Sequence, residues 1–154
     1  MNFAGTFRKR LVFSLSKREK SLLLRLLTFY PCIPPAHHQP LSRSTRLPDP
    51  EGSQGLLDEA LAEQRADNKK QIEALLAHPG RFQEDGTGVR FSVSPTELEW
   101  LLQVLNDIRI GNWIRLGSPE EKIGAINEQT APHLWAMELA GYFQSNLLEA
   151  FGEM

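Results

Sequence analysis

The sequence is poor in cysteine and has no long apolar run. Cys32 is the single cysteine among 154 residues, so an intramolecular disulfide framework is excluded. No apolar stretch reaches the roughly 20 residues that a membrane-spanning helix needs. The apolar stretches that follow the basic start are short and are interrupted by the charged segment 17–20, so a secretory signal peptide is not expected. These absences predict a cytoplasmic protein without a membrane partner.

The composition that remains is sufficient for one globular domain. The chain is 41% hydrophobic and 23% charged, which excludes wholesale disorder and allows a sizeable core at this length. Residues 1–46 hold nine Lys or Arg and one acidic residue, whereas residues 47–154 hold eight Lys or Arg and eighteen acidic residues. The basic part either attracts nucleic acid or another polyanion, or faces the acidic remainder of the chain. The second interpretation is favoured, because the basic residues are scattered and lack interleaved exposed aromatics.

A fifteen-residue pattern occurs twice in the chain. Residues 13–27 and 91–105 are identical at seven of fifteen positions, at an offset of 78. The pattern records either a duplication or the same local physics used twice. Alternating apolar residues at the start of each copy predict a short strand with one buried face. Because a lone strand is unstable, we expect the two strands to pair and to bury Phe13 and Phe91.

Each copy continues with a helix-start signal, and more helices follow. Capping boxes occur at Ser16-x-x-Glu19 and Ser94-x-x-Glu97, where the serine and glutamate side chains satisfy each other's backbone amides. A third box at Ser118 predicts a short helix to about residue 128. The longer helices are predicted over approximately 17–30, 56–77, 95–116 and 131–151. The helix over 95–116 is apolar around most of its circumference, which indicates burial, and Trp100, Trp113 and Trp135 are expected in the core.

These elements predict an α+β, mainly α fold. It consists of a bundle of about four to five helices and a small two-stranded β element formed by the two strand–helix units. Residues 1–30 form the first unit and residues 55–154 the helical remainder with the second unit, within one globular domain. Residues 31–54 contain six prolines and predict a linker that proteases cleave, because proline fixes φ and removes a backbone donor.

The candidate binding residues lie towards the end of the helix over 95–116. On a helical wheel, Arg109 and Asn112 fall inside the apolar arc. An arginine there can bind a carboxylate or phosphate with its planar fork, which gives a candidate anion or peptide site of Arg109, Asn112, Arg115 and Asp107. The alternative is a structural network of Arg109 with Asp107, Glu138 or backbone carbonyls. The structural alternative is favoured, because buried ion pairs are the commoner reason for such a pattern.

The sequence favours neither a metal nor a catalytic site. Cys32, His37 and His38 lie within seven residues, but zinc needs three or four ligands and the surrounding prolines oppose a rigid site. Nothing near Cys32 supplies the base that a cysteine nucleophile needs. No Gly-rich phosphate loop or metalloprotease motif is present. We therefore predict no enzyme activity, no metal and no cofactor.

A short motif in the same helix resembles a known family. Residues 105–110, Leu-Asn-Asp-Ile-Arg-Ile, followed by Arg115-Leu116-Gly117, resemble an uncharacterised bacterial family, number two thousand and seventeen in the domain-of-unknown-function series. The order of strand, capped helix, proline-rich gap, polar helix and second strand is similar too. The resemblance implies no known enzyme activity. It suggests an association with protein turnover, because genes of this family often lie beside that of the adaptor for the Clp protease.

Two functions follow as expectations. The first is a non-catalytic protein-interaction or regulatory module, an accessory to Clp-type proteolysis by analogy with the family. The alternative is a DNA-binding transcriptional regulator, supported by the basic segment Arg8–Arg25 and by a helix–turn–helix-like break at residues 117–119. A protein partner is favoured over nucleic acid, and the sequence does not predict an oligomeric state.

Overall fold

The fold contains two β-hairpins, each followed by a capped helix. A computed structural model describes residues 1–32, 50–119 and 126–153. The elements in chain order are β1 (Asn2–Phe7), β2 (Arg10–Ser16), α1 (Lys17–Leu27), α2 (Pro50–Ala77), β3 (Phe82–Asp85), β4 (Gly88–Val93), α3 (Pro95–Arg115) and α4 (Ala131–Glu153).

The four strands form one antiparallel sheet in the order β1-β2-β4-β3. The inner strands β2 and β4 pair so that Phe13 lies opposite Phe91, and both side chains are fully buried. The register is symmetric about this pair, because Leu11 lies opposite Val93 and Leu15 lies opposite Val89. The predicted pairing of the two similar strands is therefore confirmed.

The predicted helical bundle with a two-stranded β element is wrong. Each inner strand is joined to an outer strand, so the sheet has four strands. β1 gave no clear alternating pattern, because its register shifts between Phe3 and Gly5. Its turn also lacks a turn signature: Arg8 and Lys9 adopt φ values of 50° and 64°, where Asn and Gly are usual. β3 has only four residues, too few for a clear alternating pattern.

Two of the three predicted capping boxes, at Ser16 and Ser94, are confirmed, and Glu121 of the third lies outside the described residues. The Ser16 hydroxyl accepts a hydrogen bond from the Glu19 amide at 3.0 Å, and Glu19 accepts one from the Ser16 amide at 2.9 Å. The corresponding distances between Ser94 and Glu97 are 3.1 and 2.8 Å. Each strand therefore passes directly into a helix, because the serine belongs to the extended segment and also starts the first turn.

The core lies between one face of the sheet and the helices. Helices α1, α3 and α4 contact the sheet, and α3 packs along α4. The middle of α2 is largely exposed, and this helix contributes Ile72 and Leu75 to the core from its last turns. The largest fully buried side chains include Phe13, Phe91, Phe143, Leu23, Leu98, Leu101, Leu105 and Ile108.

Several sequence boundaries are corrected. α2 begins at Pro50, so the predicted linker over 31–54 ends earlier, and its residues 33–49 lie outside the described residues together with the proteolysis prediction made for them. The short helix predicted from Ser118 also falls largely outside them, and residues 126–128 are not helical. None of the helices in the described ranges has the length and apolar character that crossing a membrane requires.

Candidate functional site

Asp107 joins three parts of the chain from the buried side of α3. Among the described residues Asp107 is the one buried carboxylate, and the whole residue is 8% exposed. Oδ1 accepts a hydrogen bond from the backbone amide of Cys32 at 2.8 Å, and Oδ2 accepts one from Nε of Arg65 on α2 at 3.1 Å. A buried carboxylate needs such donors, because its desolvation is costly. Asp107 therefore connects α3 to α2 and to the segment that follows α1.

Asn112 makes the corresponding connection to α4. It is 6% exposed, which confirms its predicted place on the buried arc. Nδ2 donates to the carbonyl of Ile108 at 2.7 Å, and Oδ1 lies 2.9 Å from Nδ1 of His133 at the start of α4. Because the amide oxygen can only accept, His133 donates through Nδ1. Asn112 Nδ2 also lies 3.9 Å from Sγ of Cys32.

Gly111 allows the segment around Cys32 to approach α3. A Cβ atom at Gly111 would lie 2.5 Å from Cys32 Cβ and 2.7 Å from its carbonyl carbon, closer than packed atoms come. The glycine thus lets backbone pack on backbone and brings Cys32 between Asp107 and Asn112. No sequence pattern predicted this contact, because Cys32 and Gly111 are 79 residues apart.

The substitution Gly111→Ala is expected to destabilise the protein by roughly 1–3 kcal/mol, because the backbone of Cys32 must move. In a helix without such a contact, the same change stabilises by about 1 kcal/mol. Gly141 on α4 provides this control, since a Cβ there meets nothing within 4 Å. Denaturant unfolding of both variants should give shifts of opposite sign. Equal shifts would show that the close approach does not exist.

Cys32 is buried and its thiol is held in the neutral form. Burial, together with the negative charge of Asp107, raises its pKa to about 11. Sγ donates to the carbonyl of Phe29 at 2.9 Å, a bond that only the thiol form makes. A nucleophilic cysteine needs a thiolate near neutral pH, so this environment opposes that role and supports a packing role.

We expect the native Cys32 thiol to react very slowly with thiol reagents at neutral pH, and rapidly once the chain is unfolded. Because its pKa is raised from 9.0 to about 11 on folding, the thiol's contribution to stability is complete below pH 9. This contribution is lost as the pH rises through about 11, because the thiol ionises first in the unfolded state and ionisation stabilises that state. Cys32→Ala should remove this alkaline dependence. Fast modification of the folded protein would contradict the assignment.

The two histidines predicted near Cys32, His37 and His38, lie outside the described residues. Within residues 1–32, 50–119 and 126–153, no three His, Cys, Asp or Glu side chains come together in a way that would hold a metal ion.

The predicted burial of Arg109 is wrong. Its side chain is exposed and forms no ion pair with Asp107, Glu138 or any other residue in the described ranges. Arg109 instead borders a groove of about 380 Å³ between α3 and α4, whose other lining residues are Ile110, Trp113 and Met137. Trp113, expected in the core, is 38% exposed there. We call this feature the α3–α4 groove.

The four candidate residues do not form one site. Arg115 is exposed and lines a small cavity of about 150 Å³ that also contains Cys32, Asn112 and His133. Arg109 faces the α3–α4 groove instead, and Asp107 is engaged with Arg65. Of the four residues of the anion or peptide site predicted from the sequence, only Asn112 and Arg115 line the same cavity.

A second polar network, at the start of α3, was not predicted from the sequence. Arg81 is 5% exposed, and its guanidinium donates to both carboxylate oxygens of Glu97, at 3.0 and 2.5 Å. Arg10 on β2 donates to the same carboxylate at 3.2 Å. Burial raises the pKa of Glu97, but the Ser94 amide and Arg81 outweigh it and the pKa is lowered. The capping role of Glu97 was predictable, whereas its two arginine partners are distant in sequence.

The opposite face of the sheet carries a cavity. It measures about 520 Å³ and lies on the side away from the helical core. Two arginines of the inner strands, Arg10 and Arg90, stand at this cavity beside the ring of Phe7. The remaining lining residues are Val12, Gly80, Gln83 and Ser92. We call this surface the open sheet face.

Comparison of the chain with protein-family models, with curated proteins and with solved structures gives no match. The resemblance carried by residues 105–110 therefore stays a prediction.

Proposed function

We propose that this chain is a non-catalytic protein-interaction module that binds a segment of a partner protein in the α3–α4 groove. The observation that carries the proposal is Arg109. It is an exposed cation without an ion pair in the described ranges, next to the apolar surface of Ile110, Trp113 and Met137. A guanidinium in this position can accept a carboxylate bidentately.

The groove has the features of an interaction centre. Trp and Arg are the residue types that most often dominate binding energy at protein interfaces. The indole of Trp113 is held in place, since Nε1 donates to the carbonyl of Pro119 at 3.0 Å. A side chain that is already ordered loses less entropy on binding. The volume of the groove accommodates one or two side chains, so we expect a short segment with an acidic residue beside an apolar one.

The surroundings of the polar residues support a non-catalytic role. Cys32 has a raised pKa, Asp107 is occupied by two donors and Asn112 by Ile108 and His133. Each of these groups holds elements of the fold together. This arrangement favours a structural role for these three residues and a binding role for the exposed α3–α4 groove.

A link to Clp-type proteolysis is the narrower part of the proposal. It depends on the resemblance of residues 105–110 to the bacterial family described above and on the gene neighbourhood of that family. A protein that presents an acidic and apolar segment, such as a component or substrate of a protease complex, would satisfy the chemistry of the groove.

The variant Arg109→Met tests the proposal. Because Arg109 is exposed, we expect its loss to change the free energy of unfolding by less than about 0.5 kcal/mol. Loss of a charge-assisted contact should weaken partner binding by about tenfold or more. The measurement is co-purification from the native host, followed by titration calorimetry with the partner identified.

A matched control is Arg18→Met, which removes an exposed arginine from α1, away from the groove. The proposal predicts a partner that is captured by the wild type and by the control and is depleted with Arg109→Met. Identical capture by all three baits, or no captured protein, would reject the groove as the binding site.

A further inference from the structure

The open sheet face combines positive charge with a free surface. Its side chains alternate with the buried ones along β2 and β4, and none of the described helices covers them, so that Ser14 and Arg90 are exposed. Arg90 is paired only loosely with Asp85, at 3.7 Å with both side chains more than half exposed. Glu97, the other nearby carboxylate, is shared by two arginines. The turn of the first hairpin adds two further cations, Arg8 and Lys9.

A single aromatic ring projects from this face. Phe7 is 66% exposed, whereas the other phenylalanines of the sheet face the helices. It lines the cavity with Arg10 and Arg90, and the guanidinium of Arg8 lies 5.3 Å from its ring centroid. An exposed ring between cationic side chains can stack on a base of a nucleic acid while the cations neutralise the phosphates of the same strand.

The turn that carries the cations is conformationally strained. Arg8 and Lys9 both have positive φ values, 50° and 64°, which cost free energy for residues with a Cβ. The turn of the second hairpin places Gly86 at the position that corresponds to Arg8. Asn-Gly would satisfy the first turn better. Two cations kept in unfavourable conformations beside an exposed ring indicate that their charge serves a ligand.

We infer that the open sheet face binds single-stranded nucleic acid, with phosphates on Arg8, Lys9, Arg10 and Arg90 and a base stacked on Phe7. This site is separate from the α3–α4 groove and does not depend on the function proposed for it. A single strand fits better than a duplex, because the ring of Phe7 can reach a base only when that base is unstacked. An acidic peptide would use the cations but would have no base for the ring.

Fluorescence anisotropy with labelled oligonucleotides tests the inference. We expect wild-type protein to bind single-stranded RNA or DNA of about 12 nucleotides more tightly than the matching duplex. The affinity should fall steeply between about 50 and 200 mM salt, since each neutralised phosphate contributes about 0.7 to the logarithmic salt slope for single strands. Tighter binding of the duplex, or competition by an acidic peptide but not by an unlabelled single strand, would overturn the assignment.

The double variant Arg8→Asn/Lys9→Gly separates binding from folding. It supplies the residues that the turn prefers, so the melting temperature should rise. It removes two phosphate contacts, so the affinity should fall about tenfold or more and the salt slope should decrease by about 1.4. The control Lys69→Gln/Lys70→Gln removes two exposed charges from α2 and should leave the affinity within about twofold of the wild type, because it touches no phosphate contact. Unchanged binding by Arg8→Asn/Lys9→Gly would reject the inference.

The ring is tested by Phe7→Ala. Loss of one base stack should weaken single-strand binding by at least about fivefold, with little change in the salt slope, because no charge is removed. Phe151→Ala on α4, which also removes a partly exposed ring at 38% exposure, is the control and should bind as the wild type does. Equal affinities for both alanine variants would show that no base stacks on Phe7.

Discussion

Phe13→Ala and Phe91→Ala are each expected to lower the free energy of unfolding by about 3–5 kcal/mol. Both rings are fully buried and lie opposite each other on the inner strands, with ring centroids 6.4 Å apart. Each ring has a further aromatic neighbour on its outer strand, Phe3 for Phe13 and Phe82 for Phe91. Truncation of either ring therefore leaves a cavity between the sheet and the helices, and the surrounding strands cannot close it without losing their register.

Denaturant unfolding measures these losses, and the double variant measures the coupling between the two rings. Because the rings are neighbours, the losses should not be additive. Phe7→Ala is the control from the same sheet, since its ring is 66% exposed, and it should change stability by less than about 0.5 kcal/mol. Losses below about 1 kcal/mol for both buried positions would mean that the inner strands do not pair as described.

The inner half of the fold was predictable because its signals are local. Alternation around Phe13 and Phe91 marks strands with one buried face, and the serine-glutamate boxes mark helix starts through contacts only three residues apart. Pairing of the two strands followed from their similarity, since neither strand is stable alone. The strand and helix-start signals each lie within a few consecutive residues, and the pairing follows from comparing two such segments.

The outer strand β1 was not predictable for an equally local reason. Strand recognition relies on alternation and on turn residues, and the first hairpin lacks both. A bulge interrupts the alternating pattern between Phe3 and Gly5. Arg8 and Lys9 occupy the turn positions at which Asn or Gly would have indicated a hairpin. The propensities and the final structure disagree at a place where the chain also exposes its cations, which is where functional surfaces are expected to depart from local rules.

The candidate site was only half predictable from a helical wheel. α3 is apolar around most of its circumference, so the wheel identifies a wide arc but not which edge of it is covered. Asn112 lies within the covered part, whereas Arg109 lies at the edge that opens into the α3–α4 groove. The partners of Asp107 are 42 and 75 residues away along the chain, and no local pattern identifies contacts at such separations.

Asp107→Ala is expected to destabilise the protein by about 2–4 kcal/mol, the second largest effect after the loss of a core phenylalanine. The substitution removes the acceptor of the buried Cys32 amide, which costs about 1–3 kcal/mol, and the carboxylate that Arg65 contacts from α2. Both side chains of this ion pair are mostly buried, with 17% and 9% exposure for Arg65 and Asp107. Urea unfolding at neutral pH, with Glu138→Ala as an exposed acidic control on α4, measures the difference.

Asp107→Asn divides this loss between the two bonds. The amide oxygen can still accept from the Cys32 backbone, but the negative charge opposite Arg65 is gone, so we expect a loss between those of the control and of Asp107→Ala. The same variant should lower the pKa of Cys32 towards its ordinary value, since the charge of Asp107 contributes to raising it after burial. A thiol titration can detect this shift even if the stability changes little. Equal destabilisation by Asp107→Asn and Asp107→Ala, with no change in the Cys32 pKa, would mean that Asp107 acts only through Arg65. The segment after α1 would then be held only by the packing of Cys32 against Gly111.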